Sequence, residues 1–149
     1  MSNKDANVGA AGKNPDGASR LTRSKEQILN ALTPDAQGDE SLNWEVADRA
    51  ILQYKLTNGD DDGVAELMVL YVETALQHSI PQGDIGDDGF YESIEELFEG
   101  VLEHLMDMDR QGKAIEGYAR RVGKLVDSTK AIRPSFHDSL RDMFIKAFS

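Results

Sequence analysis

The sequence predicts an all-α fold, with antiparallel helical hairpins forming a compact bundle or short solenoid-like stack of about five helices. Three observations predict it. Apolar residues recur at i, i+3, i+4 and i+7 through five separate stretches. Gly, Pro and Asn punctuate the chain between those stretches. No run of β-branched residues alternates with polar ones, so no strand competes.

The first stretch spans about 43–57, with Asn43 as N-cap and Ala47, Ala50, Ile51 and Tyr54 on one face. Asn58-Gly59 ends it. The second, about 62–79, carries the stripe Val64, Leu67, Met68, Tyr71, Val72, Ala75 and Leu76, and Pro81 stops it. The third, about 88–109, buries Phe90, Tyr91, Ile94, Leu97, Phe98, Val101, Leu102 and Leu105. The fourth, about 113–127, turns Ile115, Tyr118, Ala119, Val122, Leu125 and Val126 inward. The fifth, about 135–148, turns Phe136, Leu140, Met143, Phe144 and Ala147 inward, with Ser135 at the N-cap and Asp138 at N3.

Ahead of this domain (42–149), residues 1–20 read as a disordered tail of Gly, Asn, Asp and Ala, with too little apolar surface to offset ordering entropy. Residues 21–41 read as a short helix and a linker. Leu21, Ile28, Leu29 and Leu32 share the face of that helix, and Thr22 or Ser24 would cap it.

The 149 residues suit one domain. The absence of cysteine excludes disulfides, thiolate metal sites and a cysteine nucleophile. No apolar run nears the ~18 residues that cross a bilayer, and no apolar leader opens the chain, so the expectation is a cytoplasmic protein with no membrane partner. Charge is unevenly placed within the net −11. Residues 31–109 hold two basic against twenty acidic side chains, whereas residues 110–149 hold nine basic against four acidic. A field of that sign opposes direct binding to a nucleic-acid backbone, which is driven by Lys and Arg. It suits a cation, a basic protein surface, or mimicry of a nucleic acid.

A repeat runs through the acidic part at an offset of 26 residues. Asp61-Asp62-Gly63 matches Asp87-Asp88-Gly89, Glu66 matches Glu92, Glu73 matches Glu99, and Leu76-Gln77-His78 matches Leu102-Glu103-His104. Asp61 or Asp62, and Asp88, are the expected caps of their helices. Glu92, Glu95, Glu96, Glu99 and Glu103 form one carboxylate stripe. Lys113, Arg120, Arg121 and Lys124 lie on the outer side of the next helix, where they can pair with that stripe or face another partner.

Chemistry-bearing motifs are few. Residues 84–95 match part of a calcium loop, with Asp84 at position 1, Asp88 at 5, the Phe90 carbonyl at 7, Glu92 at 9 and Glu95 at 12. Gly86 at position 3 supplies no side-chain oxygen. The earlier copy from Asn58 puts Val69 at position 12 and lacks the bidentate Glu. His78, His104 and His137 have no Glu three residues before them, and no His-Glu-x-x-His occurs. His137 reads as a local surface contact with Asp138. No Gly-x-Ser-x-Gly nucleophile elbow is present. No cofactor is expected.

The segments Gly83-Asp84-Ile85 and Asp88-Gly89-Phe90-Tyr91, with Ser93, Ile94 and Phe98, then Phe136-His137-Asp138-Ser139-Leu140, resemble a family of small all-helical bacterial proteins. That family is known only as a domain of unknown function. The resemblance covers about residues 71–144 and implies an all-α fold with no assigned activity.

The reading that follows is a non-enzymatic acidic interaction module, regulatory or accessory, that binds a basic protein partner. The residues expected to steer it are Asp60, Asp61, Asp62, Asp87, Asp88, Glu92, Glu95, Glu96, Glu99 and Glu103. Two alternatives are a nucleic-acid-mimicking inhibitor of a DNA-binding protein and a calcium-binding protein using the 84–95 loop.

Overall fold

A computed structural model describes residues 15–32, 43–79 and 88–148. The elements in order are α1 (Pro15–Ala31), α2 (Trp44–Thr57), α3 (Asp61–Ser79), α4 (Asp88–Arg110), α5 (Glu116–Ser128), a single 3-10 turn (Thr129–Ala131) and α6 (Pro134–Phe148). Among the described residues there is no strand. The tail before residue 15 and the linker 33–41 lie outside the described residues.

Local chemistry sets the helix ends. The Asn43 side chain accepts from the Val46 N–H at 3.2 Å, as its cap position predicts. At α3 the cap falls one residue earlier than expected. Asp60, rather than Asp61 or Asp62, accepts from the Gly63 N–H at 2.9 Å, so the two later aspartates occupy the first turn. α4 ends where Gly112 takes φ +81°. The Lys113 N–H reaches back to the Met108 carbonyl at 2.9 Å and the Gly112 N–H to Asp109 at 2.9 Å. That turn delays α5 to Glu116 instead of residue 113. α6 starts at Pro134, whose missing N–H and fixed φ suit a first helical position, so Ser135 lies inside the first turn and is not the cap.

α1 is longer than expected and belongs to the packed body. It begins at Pro15, placing Thr22 and Ser24 inside the helix rather than at its cap. Ile28 and Leu32 are fully buried against α2 and α3.

α3 is the shared wall of two cores. Val64, Leu67 and Tyr71 pack with α1 and α2. Ala65, Val69, Val72 and Leu76 pack with α4, α5 and α6. A helix covered on both sides must be apolar around most of its circumference, which explains the near-continuous burial from Gly63 to Leu76. A chain of rings joins the halves. Trp44 stacks on Tyr71 with centroids 5.9 Å apart and also meets Phe90 at 5.9 Å. Phe90 meets Tyr91 at 5.5 Å, and Tyr91 meets Phe136 at 4.9 Å.

Candidate interaction surface

The acidic residues of α3 and α4 fall into three groups. The first sits at the start of α3 and is occupied internally. The Asp60 carboxylate accepts from the Tyr54 hydroxyl, from Asn58 Nδ2 at 2.8 Å and from the Gly63 N–H. Burial pushes its pKa up, but these donors outweigh burial and hold it below the ordinary carboxylate value. Tyr54 approaches so closely because residue 63 is glycine; a Cβ there would stand 2.1 Å from the Tyr54 hydroxyl. Asp61 bonds to Lys113, whose hydrogen bond lowers its pKa. The Asp61 carbonyl lies 3.0 Å from His104 Nε2, and because a carbonyl only accepts, that nitrogen carries the proton. The Asp62 side chain is exposed, while its carbonyl accepts from the Tyr118 hydroxyl at 3.0 Å.

The second group was not singled out as a site from the sequence. α5 packs on α3 and carries Arg121 between two glutamates. Arg121 donates Nε and Nη2 to both oxygens of Glu73, at 3.0 and 2.6 Å, and Nη1 to Glu66 at 2.8 Å. The hydrogen bond to Glu73 is the main reason its pKa rises, against the opposing effect of burial. Lys25 of α1 adds a 3.7 Å contact to Glu66. Arg121 is therefore not an outward cation paired with the stripe of α4, because its helix packs on α3. The offset-26 repeat marked Glu66 and Glu73 in the sequence, but nothing local identified their partner.

The third group is the stripe of α4. Glu92, Glu96, Glu99 and Glu103 are exposed and Glu95 is half-exposed. Among the described residues no ion pair engages any of the five. The stripe forms a ridge between two grooves. On one side α2, α3 and α4 enclose an apolar groove of about 220 Å³ lined by Ile51, Leu52, Met68, Tyr71, Leu97 and Val101. It continues past Trp44 to Glu96. Burial, and then Asp48 beside it, pushes the Tyr71 hydroxyl pKa up. On the other side α4 and α6 form an open trough of two sections, about 340 and 370 Å³, that share Glu99 and Met143. Its floor holds Leu102, Met106, Met143 and Ala147, and its α4 rim holds Glu92, Glu95, Glu96, Glu99 and Glu103. Met143 and Ala147, expected in the core, are half-buried here.

The calcium-loop spacing does not yield a loop in its described half. Asp88, Phe90, Glu92 and Glu95 lie within the first two turns of α4, so they rise along a helix instead of wrapping one point. Arg133 Nη1 meets the Asp88 carboxylate at 2.8 Å, and Asp88 lies inside the first turn of α4 rather than ahead of it as the expected cap. Asp84 and Asp87 lie outside the described residues, as does the side chain of His78. Among the described residues no group of three His, Asp or Glu could hold a metal ion. His137 is buried, at 5% exposure, rather than on the surface, with Nδ1 3.1 Å from Asp138 Oδ1.

No helix among the described residues is long and apolar enough to cross a membrane. No family model, curated protein or solved structure matches the chain.

Proposed function

We propose that this chain is a non-enzymatic interaction module, regulatory or accessory, that binds a basic protein surface through α4. The observation that carries the reading is the stripe of Glu92, Glu95, Glu96, Glu99 and Glu103, which no ion pair among the described residues neutralises. Five carboxylates within three turns repel one another, and a cationic partner relieves that repulsion while being steered toward it. Asp60, Asp61 and Asp88 drop out of the binding set because Tyr54, Lys113 and Arg133 already occupy them. The test is recovery of the basic partner at about 0.05 and 0.3 M salt, a range over which the Debye length more than halves. Recovery is expected to fall with salt, and with Glu→Gln at the five positions even at low salt. Recovery indifferent to both changes would overturn the reading. Duplex DNA added as competitor identifies a partner that is itself a DNA-binding protein.

A further inference from the structure

We infer that the trough between α4 and α6 receives one amphipathic basic helix of the partner, apolar on the buried side and carrying Lys or Arg on the flank that faces α4. This rests on the functional reading above and names the chemistry of its partner. The floor is apolar and deformable in the section that holds Leu102, Met106, Met143 and Ala147, and Met143 alone carries it into the section beside Glu92; unbranched thioether side chains adapt to irregular apolar knobs. From Glu92 to Met106 the trough follows α4 for 14 residues, or ~21 Å at 1.5 Å per residue, enough for about four turns of a partner helix.

Binding by strand addition needs an open sheet edge, and the described residues offer no strand. A helix satisfies its own backbone and presents side chains at i, i+3 and i+7. The walls are electrostatically unequal. The α4 rim carries five carboxylates, whereas the α6 rim carries Ser139 and Lys146. The occupant is therefore basic on one flank only, which fixes its orientation as well as its affinity. The opposite groove, in sections of about 220 and 260 Å³, is lined by two carboxylates, Asp48 and Glu96, against one cation, Lys55. It offers no comparable charge preference.

The experiment uses the full chain and three peptides at about 0.15 M salt: an 18-residue Leu/Lys amphipathic helix, its scrambled isomer, and oligolysine of equal charge. Fluorescence anisotropy is expected to show the amphipathic peptide binding at least tenfold tighter than its isomer. Methyl NMR of the unmodified protein is expected to show Met106 and Met143 shifting while Met68 and Met108 stay fixed. Met143→Asp is expected to bring the amphipathic peptide down to the affinity of its isomer without weakening oligolysine binding. Ala147→Trp, which fills the trough without adding charge, provides the same contrast if the aspartate variant misfolds. Equal binding by the two isomers, with both lost on Glu→Gln, would overturn the trough and leave the acidic surface standing. Shifts at Met68 alone would assign the site to the opposite groove and also overturn it. A dimer of the free chain that the amphipathic peptide dissociates would give the trough to a second copy instead. Failure of all three peptides to bind would remove the acidic-face reading itself.

Discussion

Glu66 and Glu73 of α3 stand at the repeat positions of Glu92 and Glu99 of α4, 26 residues further on. The first pair grips Arg121 with side chains about one-fifth exposed (21% and 19%), whereas the second pair faces solvent. The entry turns diverge in the same way. Gly63 lies buried under the Tyr54 ring, while Gly89 is exposed on the first turn of α4. The helices differ in their neighbours. α3 meets α5, which carries an arginine at the facing position, and α4 meets α6, which offers Ser139 and Met143. Duplicated local chemistry thus produced one structural clamp and one free acidic ridge, and packing assigned the two roles.

Removing the clamp is the strongest way to break the contrast. Arg121→Ala leaves the partly buried Glu73 without its partner and Glu66 with only the 3.7 Å contact to Lys25, and denaturant unfolding is expected to show a loss of about 2–3 kcal/mol, below the cost for a fully buried pair because these groups are partly screened. Arg121→Lys is expected to lose about half of that, since an ammonium cannot make the two-pronged bond to Glu73. Next comes Gly63→Ala. Its Cβ collides with Tyr54, and a loss of about 2 kcal/mol should appear in the same assay, whereas Gly89→Ala stays within about 0.5 kcal/mol. Paired glutamine substitutions sharpen the comparison further. Glu66→Gln and Glu73→Gln are each expected to cost about 1 kcal/mol, while Glu92→Gln and Glu99→Gln leave stability within about 0.5 kcal/mol and weaken partner binding.

The smallest effect is a pH dependence at Asp60. Its folded pKa lies below the reference value of 3.8, so as pH falls the unfolded chain takes the proton first. The stability it contributes is complete above that reference value and is lost as pH drops through the folded one. Asp60→Asn retains an N-cap oxygen but loses one acceptor and the contribution of the charged form, so the neutral-pH midpoint should fall slightly. It should also flatten the acid limb of the stability profile, which melting between pH 2 and 5 measures. An unchanged acid limb would show that the Tyr54–Asp60 bond is not maintained in solution.

Much of the backbone was legible because helix formation is local. The stripe Ile94, Phe98, Val101, Leu105 and the stop at Asn58-Gly59 each depend on residues within a few turns. The exceptions are equally local in kind. Asp60 outcompeted Asp61 for the cap of α3, and Pro134 began α6 one residue before the expected cap. α1 was underestimated because the residues from Pro15 to Ser19 supply no apolar stripe of their own. The acidic stripe of α4 was readable as a helical face, but the lack of an ion pair to it among the described residues was not.

By itself, the sequence determined which segments coil, where most of them stop, and that carboxylates crowd the middle of the chain, since each depends on neighbours a few residues apart. Tertiary structure decided that α3 would be the wall of two cores, that Arg121 would reach 48 and 55 residues back to Glu73 and Glu66, and that a Met-lined trough would open beside Glu99. Those outcomes depend on which helix lies against which. That arrangement follows from burying all the apolar faces at once, a sum over the whole chain that no local window contains.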